Sequence, residues 1–281
     1  MVEPAKIAAR TPKPQTGEPL PHESAKLHVT GEALYTDDIG TPASALHAYV
    51  GMSQATHARI KNLNLDAVRN APGVVCVLTA SDIPGSSDIG PVYPGDPLLA
   101  SDTVEFRGQI LFAVAAVSNK AARRAARLAE IEYEMLPAVL DSQTGHELES
   151  YVRPMHCQRR GDANAAIAEA PMKLEGAFQS GGQEQMYLEG QASLAIPDED
   201  GKMLVYSSTQ HPSEGQKLVA EVLNIPLSHV TVQVRRMGGA FGGKETNANQ
   251  WACLAALLAH KTSRPVRLKL SRAEDFILTG K

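Results

Sequence analysis

Ile110-Leu111-Phe112-Ala113-Val114-Ala115-Ala116-Val117, followed at once by Ser118 and Asn119, decides the fold class of this 281-residue chain. Eight apolar residues in a row, four of them β-branched or aromatic, read as a strand buried on both faces. Ser118 or Asn119 can cap the helix that follows, because a short polar side chain there accepts from the free N–H groups of a first helical turn. That helix runs from about Lys120 to Ala129, with Ala122, Ala125, Ala126 and Leu128 on one side. Ile131–Tyr133 then returns as a strand. Strand, helix and strand with short links are the α/β arrangement.

Outward from this unit the same reasoning adds further elements. Leu46–Met52 and Val74–Leu78 read as strands and Leu65–Asn70 as a short helix stopped by Pro72-Gly73. Thr79–Pro97 is dense in Pro, Gly, Ser and Asp and reads as a long loop. Beyond a polar stretch from Asp141 to Ala170, strands are expected at Lys173–Phe178, Ala192–Ile196, Met203–Ser207, Val230–Val234 and Val266–Leu270. Helices are expected at about Ser213–Leu223 and Asn249–His260. The first 24 residues, with Thr11-Pro12-Lys13-Pro14 and Glu18-Pro19-Leu20-Pro21, read as a disordered tail.

Composition excludes several classes. A net charge of −4 gives no electrostatic case for nucleic acid or an anionic membrane. Arg123, Arg124 and Arg127 read as the wet face of a helix. The three cysteines, Cys76, Cys157 and Cys253, lack any close ligand spacing, which argues against a disulfide framework, a zinc knuckle or an iron–sulfur site. No apolar run reaches the length of a membrane span, and Met1–Pro21 has no apolar core of a signal peptide. A cytoplasmic protein is expected.

Two stretches carry chemistry. Ser207-Ser208-Thr209-Gln210-His211-Pro212-Ser213 is a strand that breaks at a proline and opens a helix, where free N–H groups favour anions. Gln210 offers an amide donor and an acceptor there. The second is Arg235-Arg236-Met237-Gly238-Gly239-Ala240-Phe241-Gly242-Gly243-Lys244-Glu245, with four glycines in six positions. Such a backbone approaches a ligand closely and can form an anion nest. Gly238–Lys244 meets the phosphate-loop spacing only with Glu245 in place of the required Ser or Thr, and a carboxylate would be repelled by a triphosphate. Residue types alone leave two plainer readings standing: ordinary capping by Ser213, and a mobile glycine-rich turn.

The loop from Arg236 to Glu245, with Gln210 in Ser-Ser-Thr-Gln-His-Pro upstream, resembles the molybdopterin-binding subunit of xanthine dehydrogenases in the molybdenum hydroxylase family. The block Gly182-Gln183-Glu184-Gln185-Met186-Tyr187-Leu188-Glu189 is similar to another part of that subunit. So is His28-Val29-Thr30-Gly31 through Tyr35-Thr36-Asp37-Asp38. The resemblance runs from about Leu20 to the last residue. It departs at Gln185-Met186, where His-Phe is more usual.

The resemblance implies an α/β (mixed α+β) chain: a small hammerhead domain over 25–140, a linker over 141–164, and over 165–281 the first part of a molybdenum-cofactor-binding domain. It implies hydroxylation of xanthine or hypoxanthine at a molybdenum–molybdopterin centre. Electrons would pass to Fe-S clusters and FAD on a partner subunit and then to NAD, within a hetero-oligomer. Gln210 would hydrogen-bond an oxygen ligand of the metal, and Phe241 and Gly242 would line the cofactor pocket. Glu245 would bind the purine and stabilise the transition state. No side chain would ligate the metal directly, since the pterin holds it. Aldehyde oxidases commonly carry an apolar residue at the Glu245 position, so an aldehyde oxidase-type or other molybdenum hydroxylase large subunit is the alternative. The family's substrate-binding Arg, its aromatic pair and its catalytic Glu have no counterpart in these residues. An incomplete, catalytically inactive fragment or a non-catalytic assembly module is therefore expected, ending at Leu278-Thr279-Gly280-Lys281.

Overall fold

The computed structural model describes residues 16, 17 and 19–279. Most of the tail expected over 1–24 lies outside the described residues. The described residues up to Leu34 are a unit of their own. Within it α1 (Ala25–Thr30) ends at Gly31, whose φ of +76° lets its N–H turn back onto the last helical carbonyls.

The second unit runs from Tyr35 onward. Its strands are β1 (Leu46–Met52), β2 (Ala58–Asn64), β3 (Val74–Leu78), β4 (Thr103–Val104), β5 (Ile110–Ala116) and β6 (Glu130–Met135), then β7 (Ala192–Pro197), β8 (Met203–Ser207), β9 (Val230–Gln233) and β10 (Val266–Lys269). Its helices are α2 (Asp66–Arg69), α3 (Asn119–Ala126), α4 (Ser142–Glu147), α5 (Ala163–Glu169), α6 (Pro212–Leu223), α7 (Asn247–Thr262) and α8 (Arg272–Leu278). Seven strands form one sheet in the order β3-β5-β1-β10-β7-β8-β9, and β4-β2-β6 form a second. β1 pairs with β10 and β8 with β9 in parallel, and all other ladders are antiparallel. The fold is therefore mixed α/β. The larger sheet takes strands from both sides of the 141–164 stretch, joined where Leu46 lies opposite Val266.

β5 explains this layering. Every residue of it is buried. Leu111, Phe112, Val114 and Ala116 pack into one core with Ala122, Ala125 and Ala126 of α3. Ile110, Ala113 and Ala115 pack into the other, with α6 and α7. A continuous apolar run is what a central strand with a core on each face requires. Ser118 caps α3, its hydroxyl accepting from the Ala121 N–H at 3.2 Å. In α7 every residue from Trp251 to Ala259 is buried, so its small residues let it lie close to β7 and α6.

Three sequence expectations need correction. Lys173–Phe178 is not a strand: Leu174 is fully exposed and Phe178 93% exposed, with no neighbouring strand to bury alternate residues. β2 was not expected, because Arg59 and Lys61 on its open face pair with Glu134, and a register shift between Ile60 and Asn62 breaks its alternation. The polar stretch after Asp141 contains α4 and α5, capped by Asp141 and Asp162, whose carboxylates accept backbone N–H groups at 2.8 Å and 3.0 Å. Among the described residues no helix is long and apolar enough to cross a membrane.

Candidate functional site

Because β8 and β9 are parallel, with Tyr206 opposite Gln233, the chain leaves both strands at the same edge of the sheet. Loops at the carboxyl ends of parallel strands are where α/β sheets form ligand sites. From β8 come Ser208, Thr209, Gln210 and His211, before Pro212 opens α6 at its first position. From β9 comes the glycine loop, which ends where Asn247 opens α7.

Lys244 joins the two. Its N–H donates to the Gln210 side-chain Oε1 at 3.3 Å, and its carbonyl accepts the Gln210 N–H at 2.9 Å. The Thr209 hydroxyl donates to the same carbonyl at 3.3 Å. Thus the Gln210 amide oxygen is held inward. Its NH2 group has no acceptor among the described residues and faces outward as a donor, on an exposed residue.

The Lys244 side chain points the other way, into the protein, and is fully buried. Its ammonium donates to the Glu189 carbonyl at 2.6 Å, the Ser208 hydroxyl at 2.7 Å and the Glu189 carboxylate at 3.4 Å, and lies 4.7 Å from the centre of the Tyr187 ring. Burial holds this ammonium below the ordinary lysine value, while the Glu189 charge acts against that shift. The Glu189 carboxylate also accepts from the Ser208 hydroxyl at 2.7 Å, the Gly238 N–H at 3.0 Å and the Asp37 N–H at 3.2 Å. Beneath the loop, the Tyr187 hydroxyl donates to Asp275 at 2.6 Å and accepts from Gln191, which also donates to the Gly243 carbonyl at 2.9 Å. Burial, reinforced by the Asp275 carboxylate, pushes the Tyr187 hydroxyl up to about 12.

Glycine is required at both ends of this loop by close approach. A Cβ on Gly238 would lie 2.6 Å from Glu189 Cβ, and one on Gly243 2.7 Å from the Tyr187 ring. The middle differs. Gly242, at φ +90°, faces open space, and Phe241, at φ +53°, is 76% exposed. The N–H groups of Gly239, Ala240, Phe241 and Gly242 have no acceptor among the described residues. Glu245 is exposed just beyond, its N–H donating to the Gly242 carbonyl at 3.4 Å. A run of unpaired N–H groups, an outward amide NH2 and room beside Gly242 suit a bulky anionic group with several acceptor atoms. Among the described residues no three His, Cys, Asp or Glu side chains cluster as metal ligands.

The structure thus brings Gln210 against the loop that carries Phe241, Gly242 and Glu245. Sequence reasoning gave no role to Glu189, quoted only within a block, or to Lys244, quoted in the glycine loop and in a rejected phosphate-loop spacing. The available signal was a lysine next to glycines where no phosphate fits. Past Glu245, Thr246 and Asn247 line an open cavity of about 1450 Å³ with Phe106, Arg107 and His146, and none of the four expected site residues lines it.

Residues 145–281 match the family described as molybdopterin cofactor-binding domain, and residues 30–137 the aldehyde oxidase and xanthine dehydrogenase a/b hammerhead domain. Over 94% of the chain, identity is 38% to a xanthine dehydrogenase/oxidase of Gallus gallus and 37% to a xanthine dehydrogenase of Dictyostelium discoideum. The chain spans only 19% of the length of each of these relatives. The quinoline 2-oxidoreductase of Pseudomonas putida 86 superposes with a TM-score of 0.78 at 26% identity, covering 90% of this chain and 34% of that one. The aldehyde oxidoreductase of Desulfovibrio gigas gives 0.79 at 25% identity, covering 93% and 31%. With residues 30–137 and 145–281 both matched, the chain belongs to the xanthine dehydrogenase-like molybdenum hydroxylase family.

Proposed function

We propose that this chain supplies the cofactor-facing loops of a xanthine dehydrogenase-type molybdopterin subunit, in a protein that hydroxylates xanthine and hypoxanthine. One observation carries the reading: Lys244 ties Gln210 to the glycine loop, while the Gln210 amide NH2, four backbone N–H groups and the exposed Glu245 carboxylate have no partner among the described residues. When bound, the molybdenum–molybdopterin group supplies transfer of a water-derived oxygen and uptake of two electrons.

Gln210 donates from its NH2 group to an oxygen acceptor of that cofactor. The N–H groups of Gly239–Gly242 would hold its anionic part, and the exposed Phe241 would line the cofactor pocket with an apolar ring. Gly242 leaves room where any side chain would intrude. Glu245 hydrogen-bonds the purine and stabilises charge that grows on the ring during attack. The electrons leave through Fe-S clusters and FAD on a partner subunit to NAD, in the cytoplasm. The 281 residues alone turn over no purine, because the base that starts the reaction has no counterpart among them.

Glu245→Ala in the intact enzyme tests the assignment. Xanthine oxidation falls about 100-fold while molybdenum content stays at the wild-type level. Unchanged xanthine turnover removes Glu245 from the site, and a preference of the wild-type enzyme for aldehydes over purines replaces the purine reading with the aldehyde one.

A further inference from the structure

The ion pair of Glu189 and Lys244 is buried, with side chains 6% and 0% exposed. Two buried charges are an expensive way to stabilise a fold, and an apolar pair of the same size often serves as well. What this pair does that an apolar pair cannot is tie together four separate pieces of backbone. Glu189 takes the N–H of Gly238, where the glycine run starts, and Lys244 where it ends. It also takes the Ser208 hydroxyl from the β8 loop and the Asp37 N–H. Lys244 returns hydrogen bonds to Ser208 and to the Glu189 carbonyl, while its own peptide holds Gln210 by both N–H and C=O. The loop is pinned at its two ends by one carboxylate, and between the pins no N–H from Gly239 to Gly242 is spent on the protein.

We propose that Glu189 and Lys244 are positioning residues for the cofactor: their buried pair sets the span of the N–H nest and the aim of the Gln210 amide. This rests on the reading of the site as a molybdopterin site. Without the pair, the loop ends separate, the nest loses its curvature and Gln210 turns away, although the aliphatic cores on both faces of β5 are untouched.

The test compares wild-type enzyme with the double variant Glu189→Gln/Lys244→Met, which removes both charges and strands neither. Release of molybdenum on dilution is followed by metal analysis, with thermal unfolding measured on the same samples. The double variant is expected to unfold within a few degrees of wild type yet to release molybdenum about 10-fold faster, the size of effect that residues supporting a metal site have. Equal release rates at equal stability overturn the proposal. Where the double variant does not fold, Ser208→Ala decides: it takes one acceptor from Lys244, and release unchanged from wild type overturns the proposal while faster release at a retained unfolding temperature supports it. A wild-type enzyme that carries no molybdenum at all instead refutes the reading of the site, so the two failures are distinct.

Discussion

The strand–helix unit around β5 and the loop that ends at Lys244 are both central to the molecule, but opposite physics holds them. Around β5, Leu111, Phe112 and Val114 pack on alanines of α3 that are neighbours in sequence, and contact area supplies the stabilisation. Around Lys244, the partners are 34 to 55 residues away and the contacts are directional: Gln210, Ser208 and Glu189. Apolar packing tolerates substitution because neighbours shift. A buried charge network does not, because each member left without its partner keeps the full cost of its desolvation.

That contrast can be broken most directly at Lys244. Lys244→Met alone leaves the Glu189 carboxylate buried without a cation and should cost about 4 kcal/mol in urea unfolding, with Glu189→Gln added in the same chain recovering most of it. A single variant as stable as wild type would show that the pair is no more demanding than the aliphatic core. Leu111→Ala, at a fully buried position, should cost about 3 kcal/mol. Unlike the lysine variant, it should leave molybdenum retention in the intact enzyme unchanged.

The smallest effect is a matter of pH. Burial lifts the Asp37 carboxyl, but hydrogen bonds and charge from Lys269 and Arg267 outweigh it and hold the group below the ordinary aspartate range. A carboxyl lowered on folding contributes stability above its unfolded value and loses it as pH falls through the folded one. The unfolding-temperature gap between wild type and Asp37→Asn should therefore be constant above about pH 5 and shrink below about pH 4. Because Lys269 is half exposed, the gap should correspond to no more than about 1 kcal/mol. A gap that persists unchanged to pH 2 would mean that the Asp37 carboxylate adds nothing through its charge.

The same contrast explains what could be read from the sequence. Leu46–Met52, Val74–Leu78 and Met203–Ser207 appear as strands with the expected bounds, since apolar periodicity is a local property of neighbouring residues. β2 escaped because its open face is charged and its bulge shifts the pattern, so its identity depends on Glu134 of a distant strand. α8 escaped too: its signal is the Ser271–Glu274 capping box, with little apolar stripe behind it. Gln210, Phe241, Gly242 and Glu245 were singled out through a resemblance between short motifs. Glu189 was not singled out, because nothing in a Tyr-Leu-Glu sequence announces which lysine, 55 residues on, it will meet.

The ladder between β1 and β10 has a consequence for biosynthesis. Ser44 accepts from Arg264 across 220 residues, at the mouth of that parallel pair. While the chain emerges from the ribosome, β1 can zip to β5 early, yet its other edge stays bare until residues 266–269 arrive. A long wait with an unpaired, apolar strand edge is a window for misassociation. The centre of the sheet therefore closes only after residues 266–269 have followed β1 out of the ribosome, and the interval between the two strands is the exposed one.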